Sequence, residues 1–303
     1  MTLLSHYTSR TGFEGIARTG TLWATDFMNV TGTSEYFYAW NAIQRRAMEY
    51  AIARVPADLV RTGPAIEAIA INATEALRAH IASVSPGGYE RLYITSFARD
   101  TIEDHERRGI LTLWRYYTKH EGYCLQFDKS DVESMLSREL MKGNYAAAGL
   151  SEMKYGVDEA TWEFKKLCVQ VGEQFLLMVA QAHHDRRIRP DYKHHWAPSY
   201  LARKLMDYCG TRKDPCFEDE REMRIYAYPA DVSEARVFTG IASRKEIRTA
   251  PSGMKYIALG EFWRPVISPR RVIIGSKADK DIAAILAQFD RMPEVARANM
   301  PDA

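Results

Sequence analysis

The amino-acid sequence lacks the features that mark several large classes of protein. Its 303 residues carry a formal net charge of only +2, so overall charge does not favour nucleic-acid binding. Its apolar stretches, such as residues 175–180, are too short to span a membrane. The first residues show no basic segment followed by a long apolar one, so we expect no signal peptide and no interaction with membranes.

Cysteines are few and widely spaced, and common catalytic signatures are missing. The four cysteines form no C-x-x-C pair, which favours a reduced, cytoplasmic setting. The sequence contains no Walker lysine motif, no G-x-G-x-x-G, no G-x-S-x-G and no H-E-x-x-H. Kinases, P-loop NTPases, common dinucleotide oxidoreductases, α/β-hydrolases and zincins therefore lose support.

The hydrophobic pattern changes character along the chain. Short strand-like runs near both ends flank long stretches with helical periodicity. We therefore predict one α+β domain over residues 1–303, with helical insertions at about 35–85 and 130–212. An amphipathic helix is predicted at 279–289, and the tail from residue 292 is expected to be loose.

The stretch at residues 217–224 is the strongest lead to function. It precedes an apolar, strand-like run at residues 225–228. If the strand includes the charged residues, alternation places Glu220, Glu222 and Arg224 on one face. Such a face is either a polar site that binds sugar hydroxyls and stabilises a developing positive charge, or a solvated strand edge whose charges block aggregation.

Polar and aromatic residues on the first two predicted strands are further candidates. His6, which precedes Tyr7 and Thr8, can donate to a ribose hydroxyl or a phosphate, or can be satisfied by its sheet neighbours. Trp23 can wall a pocket for a planar ring or fill the core.

Two middle segments supply the remaining candidates. Alternation along the strand that ends at residue 97 places Tyr93 on one face and Ser96 on the other, where a cofactor amide or the backbone would satisfy the hydroxyl. Trp114 and Tyr117 share one face of a helix predicted at 110–118, and such a stripe lines either the core or a ligand.

The segment at residues 183–195 is basic and rich in histidine. Its charges could engage the phosphates of NAD or of RNA, but a solvated helix end is the favoured interpretation. Together with the downstream cysteines, its histidines fit no zinc-ligand spacing, so we predict no metal site.

Taken in order, these elements resemble a bacterial and phage family of unknown function that is grouped with the ADP-ribosyltransferases. The resemblance covers most of the chain, and the order of the segments is more specific than any one of them. It rests on His6-Tyr7-Thr8, Gly15-Ile16, residues 22–25, Ser96-Phe97, Trp114-x-x-Tyr117, residues 122–127, Phe217-x-x-Glu220-x-Glu222-x-Arg224 and residues 272–275.

The resemblance implies a split, mainly antiparallel β core that clamps NAD as the substrate. It implies that Glu222 is the catalytic carboxylate and Glu220 the upstream member of an E-x-E pair, with Glu218 as another candidate. His6 would contact a ribose, and Ser96 or Tyr93 would lie near the nicotinamide. The other cofactor contacts would come from Tyr7, Thr8, Trp23, Trp114, Tyr117 and Arg224, the last by holding the carboxylates ionised or by binding the pyrophosphate.

The leading hypothesis is thus an NAD-dependent ADP-ribosyltransferase that modifies a nucleic acid, a protein or a small acceptor. By the same resemblance it would act as a toxin or antiphage defence effector, with an antitoxin or other regulator as a partner. Two alternatives stay open. One is an NAD glycohydrolase, with water as the acceptor, and the other is a non-catalytic sensor that binds a nucleotide and leaves it intact.

Overall fold

The computed structural model divides the chain into two compact units. It describes residues 2–29, 34–58, 91–100, 109–142, 145–183, 188, 198–230, 245–250, 252–261 and 267–298. The first unit comprises Met1–Val30, Gly88–Met153 and Cys216–Ala303, and the second comprises Thr31–Gly87 and Lys154–Pro215. The second unit falls mostly within the two predicted helical insertions, whereas residues 130–153 belong to the first.

The described residues form the following elements in chain order. The strands are β1 (Leu3–Thr8), β2 (Leu22–Asp26), β3 (Tyr93–Asp100), β4 (Tyr123–Asp128), β5 (Tyr145–Glu152), β6 (Lys154–Tyr155), β7 (Arg212–Lys213), β8 (Glu222–Pro229), β9 (Ile247–Thr249), β10 (Lys255–Leu259), β11 (Arg271–Ile274) and β12 (Glu294–Arg297). The α-helices are α1 (Arg10–Thr19), α2 (Ser34–Ile52), α3 (Leu111–Leu113), α4 (Lys129–Met141), α5 (Trp162–His183), α6 (Pro198–Gly210) and α7 (Ala283–Leu286). A π-helix follows α3 at Trp114–Thr118, and 3-10 turns lie at Phe27–Asn29 and Pro215–Glu220.

The first unit is built on one open, mainly antiparallel sheet, so the predicted α+β class is confirmed. The strand order is β12-β11-β4-β1-β3-β2-β10-β9, and β8 pairs with β3 on one side and with β5 on the other. Only β11 and β12 pair in parallel among the strands described in this sheet. The predicted loose tail is therefore wrong over Glu294–Arg297, because these residues extend the sheet beside β11.

The sheet divides along one edge of β3. Ala98 pairs with Ser5 of β1 and with Glu222 of β8, so β1 and β8 lie on opposite edges. At the other end of β3, Ile94 pairs with Thr25 of β2 and also with β8. Because β1 and β2 share one edge of β3 and pair only near its ends, the strands separate in between.

The two faces of the sheet differ in polarity. Residues opposite one another in antiparallel strands share a face, so the register places Ser96 beside Arg224 and Ala98 beside Glu222. The other face carries the hydrophobic core, whose members include Leu4, Phe97, Leu125, Ile225, Ile257 and Val272. The alternation predicted for Tyr93 and Ser96 agrees with this register.

Helix α1 connects β1 to β2 and is capped at both ends. Ser9 caps its first turn by accepting a hydrogen bond from the Gly12 backbone, 3.2 Å away. Gly20 closes the helix in the left-handed conformation, with φ at 64°. This short connection places the ends of β1 and β2 on either side of the split.

The second unit packs α2, α5 and α6 around its own apolar core. Fully buried side chains come from all three helices and include Trp40, Ala47, Val171, Phe175, Leu205 and Cys209. Buried ion pairs add to it, as between Lys213 and Glu35, which lie 3.0 Å apart. Within the described parts of the chain, no helix is long and apolar enough to cross a membrane.

Several predicted elements lie outside the described residues. The sequence also predicts a helix at about 64–81 and a strand at 235–239, and both lie outside the described residues, as does nearly all of the basic segment at 183–195. The predicted terminal helix at 279–289 is shorter than expected and covers only Ala283–Leu286.

Candidate functional site

A pocket of about 180 Å³ opens where β1 and β2 separate from β3. Its walls come from β1, β2, β3, the helical segment after residue 110, the turn that ends at Glu220 and the start of β8. The lining residues are Ser5, His6, Tyr7, Trp23, Thr25, Ile94, Thr95, Ser96, Phe97, Ala98, Leu113, Tyr117, Glu220 and Glu222. The volume is below the roughly 300–1,000 Å³ of sites for drug-sized ligands, so the pocket suits a ring and one sugar better than a whole dinucleotide.

The pocket gathers most of the residues that the sequence singled out, although they are distant in the chain. The predicted site residues that line it are His6, Tyr7, Trp23, Ser96, Tyr117, Glu220 and Glu222. Four others, Thr8, Tyr93, Trp114 and Arg224, do not line it.

Glu222 is held by Arg224 at the start of β8. The Arg224 Nε and Nη2 atoms donate to the same Glu222 oxygen, at 2.8 and 2.7 Å, and both residues are 3 % exposed. Because β8 is paired on both edges, the alternative of a solvated edge strand is wrong. Of the two roles considered for Arg224, this ion pair favours the one that keeps the carboxylate charged.

Glu220 lines the same pocket but lies outside strand β8. It ends the 3-10 turn Pro215–Glu220 instead of lying in the strand, so the prediction that it shares a strand face with Glu222 is wrong. The physical reason is Arg221, whose backbone is left-handed, with φ at 45°. Glu220 is nevertheless buried and accepts a hydrogen bond from the Tyr117 hydroxyl at 3.3 Å, whereas Glu218 is exposed and does not line the pocket.

His6 lies across the split from β3. Its Nδ1 atom is 3.0 Å from the Ser96 carbonyl oxygen, and since a carbonyl can only accept, Nδ1 carries the proton. Burial lowers the pKa of His6 below its usual value by more than the Ser96 bond raises it. The ring is therefore neutral at pH 7, with Nε2 as its acceptor, which suits a ribose hydroxyl.

Trp23 forms an aromatic wall of the pocket. Its ring stacks on Tyr256 of the neighbouring β10, with 4.6 Å between the ring centroids. Its backbone oxygen accepts a hydrogen bond of 2.9 Å from the Thr95 hydroxyl, which ties β2 to β3 beside the split. The pocket interpretation and the packing interpretation of Trp23 thus both apply.

Tyr7 and Trp114 support the segment that closes one side of the pocket. Their rings meet edge to face at 5.1 Å, and the Tyr7 hydroxyl accepts a hydrogen bond of 2.6 Å from the Ile110 backbone. Trp114 is fully buried, whereas Tyr117 is 43 % exposed. The predicted common face for these two aromatics is wrong because Trp114–Thr118 is a π-helix, whose wider turn separates them.

Two other predicted cofactor contacts, Tyr93 and Thr8, pack against other parts of the protein and not into the pocket. Tyr93 is fully buried in the core of the first unit. Thr8 pairs with Tyr123 at the end of β1 and lies against Gly12, where an added Cβ would be 2.1 Å from the Thr8 hydroxyl. Neither residue lines the pocket, so both predicted cofactor contacts lack support from this geometry.

Sequence reasoning missed several residues of the pocket. Thr25 could have been found, because it lies two residues after Trp23 on the same strand. Phe97 belongs to the Ser96-Phe97 segment of the resemblance but was not proposed as a contact, and Thr95 and Leu113 carry no local signal that marks them as pocket residues.

Comparisons with known proteins found a match that includes part of this site. A family model described as a protein of unknown function (DUF2971) matches residues 113–225, which include Tyr117, Glu220 and Glu222. His6, Trp23 and Ser96 lie outside the matched range. Comparisons with curated proteins and with solved structures found no match. Over residues 113–225 the chain is thus similar to a family of unknown function, in agreement with that part of the resemblance drawn from the sequence.

Proposed function

We propose that the chain is an NAD-dependent ADP-ribosyltransferase and that its sheet is the split β core of that class. The observation that carries the proposal is the meeting of two buried carboxylates, Glu220 and Glu222, with His6 and two aromatic rings in one pocket at the split. Such a set matches the needs of N-glycoside cleavage, in which a sugar cation must be stabilised and a planar leaving group held.

The reaction assigns a role to Glu222. When the bond between the ribose C1′ atom and the nicotinamide nitrogen breaks, its electron pair returns to the ring and positive charge develops on the ribose. A carboxylate fixed in its charged form by Arg224 stabilises that charge without having to reorganise. The acceptor then forms its bond to C1′ and gives up a proton.

The surrounding residues suit the nicotinamide end of NAD. Nε2 of neutral His6 can accept a hydrogen bond from a ribose hydroxyl, and Trp23 and Tyr117 offer ring faces for the nicotinamide. The small volume supports a pocket for this end of the dinucleotide, with the adenosine end bound elsewhere.

The test compares the purified protein with its Glu222→Gln variant in the presence of labelled NAD and a cell lysate. We expect label in a macromolecular fraction, and a loss of about 10²–10³-fold in the rate of nicotinamide release in the variant. Glu218→Gln is the matched control, because Glu218 is an exposed carboxylate in the adjoining turn and does not line the pocket.

Each other outcome selects a different function. Nicotinamide release without transferred label would favour NAD hydrolysis, with water as the acceptor. Intact NAD after long incubation with the wild-type protein would contradict the enzyme proposal and leave a nucleotide-binding role. Equal rates for wild type and Glu222→Gln would remove Glu222 from the chemistry.

A further inference from the structure

Tyr117 occupies an unusual backbone element beside the candidate carboxylates. It belongs to the π-helix Trp114–Thr118, a conformation that occurs frequently at functional sites. The element is anchored by the fully buried Trp114, whose carbonyl oxygen accepts hydrogen bonds from the Thr118 hydroxyl and the His120 backbone at 3.0 and 3.1 Å.

The end of this π-helix is conformationally strained. Lys119 and His120 both adopt left-handed backbone angles, with φ at 49° and 66°. Such angles are unfavourable for residues other than glycine and persist where the surrounding structure enforces them. The backbone thus holds Tyr117 at the pocket by specific constraints.

The two carboxylates of the pocket face different partners. Glu222 faces the guanidinium of Arg224, which favours a permanent anion. Glu220 accepts a hydrogen bond from the phenol of Tyr117, which orients the carboxylate. Paired acids in unlike surroundings commonly divide acid–base and electrostatic roles between them.

We propose that Tyr117 is a positioning residue that orients Glu220 to accept the proton of the acceptor nucleophile. This inference rests on the proposed function. In the step, a lone pair of the acceptor oxygen or nitrogen forms the bond to C1′, the bond from C1′ to the nicotinamide nitrogen breaks, and the acceptor proton moves to Glu220. The O···O distance of 3.3 Å is long for such a bond and leaves room to tighten when substrates bind.

The position of Tyr117 also suits an approach of the acceptor from solvent. Its side chain is 43 % exposed although it lines the pocket, so it lies at the mouth. A proton taken up by Glu220 can leave through this opening. Among the described residues, the other ionisable groups that line the pocket or pair with its carboxylates include His6 and Tyr7 in the wall and Arg224 beside Glu222.

The test is Tyr117→Phe, with Tyr116→Phe as the matched control. Tyr116 lies on the same π-helix, is 71 % exposed and does not line the pocket. Tyr116→Phe therefore also removes one phenol hydroxyl, but from a residue outside the pocket. We expect Tyr117→Phe to lower kcat for transfer on the order of 10-fold, the usual effect of one hydrogen bond to a charged group. The KM for NAD should change less than about twofold, because the substitution keeps the aromatic ring and does not remove a contact that binds NAD in the ground state.

A pH profile separates positioning from a purely structural role. Removing a donor to a carboxylate disfavours its ionised form, so the acidic limb of the pH–rate profile should move to higher pH in Tyr117→Phe and stay in place in Tyr116→Phe. An unchanged kcat and an unchanged acidic limb in Tyr117→Phe would overturn the inference while Glu222→Gln is still inactive. If instead Glu222→Gln keeps full activity, or the wild type leaves NAD intact, the proposed function itself is wrong.

Discussion

The Glu222 carboxylate and the Arg224 guanidinium form a buried ion pair two residues apart on one face of β8. Both Arg224 donors reach a single carboxylate oxygen, and the pair lies where β8 is bonded on both edges. Two opposite charges removed from water are stable only together, since each alone carries a large desolvation cost. The site chemistry and the stability of the first unit therefore depend on the same contact.

Removing one partner of this pair should strongly destabilise the protein. We expect Arg224→Met to lower the free energy of unfolding by about 3–5 kcal/mol, because it removes both guanidinium donors from a buried carboxylate. Chemical denaturation measures the change. Arg99→Met is the control, since Arg99 pairs with Glu152 at the surface, and should cost less than about 1 kcal/mol.

A double variant tests the explanation. Arg224→Met combined with Glu222→Leu should recover much of the stability, because the buried carboxylate that lost its cation is then removed as well. A double variant as unstable as Arg224→Met alone would mean that packing of the arginine stem matters more than its charge.

The backbone conformation of Arg221 determines how the Glu220 and Glu222 side chains are placed relative to each other. It separates the turn that ends at Glu220 from the strand that begins at Glu222, and its φ is 45°. Arg221→Asn and Arg221→Val both lose the guanidinium, but only asparagine tolerates this conformation. We expect the valine variant to be less stable than the asparagine variant by about 1–2 kcal/mol in denaturant unfolding. Equal stabilities would contradict the inferred strain.

His6 should make stability depend on pH in a defined direction. Burial lowers its pKa in the folded protein, so the unfolded chain binds the proton more readily, near pH 6.5. The stability contributed by a neutral His6 is fully present above that value and is lost as pH falls from about 6.5 toward the lower pKa of the folded state. The stability difference between wild type and His6→Gln should therefore shrink between pH 8 and pH 5. A constant difference across that range, measured by urea unfolding, would contradict this assignment.

Local sequence signals predicted strands β3 and β8 well, because alternation depends on near neighbours. The strand predicted to end at residue 97 and the strand-like run at 225–228 correspond to β3 and β8 within a few residues. The separation of β1 and β2 along β3 has no such signal, since it arises from pairing between residues about 70–95 positions apart. The π-helix and the left-handed Arg221 were missed for a related reason, because tertiary contacts hold both against local preference.

Gly109 should be necessary for the pocket wall because of its φ and the space around it. Its φ is 76°, and an added Cβ would lie 2.5 Å from Nε1 of Trp114 and 2.8 Å from the Tyr7 hydroxyl. Gly109→Ala should therefore combine a backbone penalty with overpacking of a fully buried ring, for a total loss of about 2–4 kcal/mol.

The Gly253→Ala variant separates the backbone penalty from the cost of overpacking. Gly253 has a similar φ of 84°, but an added Cβ there meets no atom within 4 Å, so only the backbone penalty of about 1 kcal/mol should remain. Thermal and denaturant unfolding of both variants measures the excess cost at Gly109. Because Tyr7 lines the pocket, Gly109→Ala should also raise the KM for NAD, whereas Gly253→Ala should not. Equal losses of stability in the two variants would mean that Tyr7 and Trp114 can move aside without cost, and that the wall they support is not fixed by this contact.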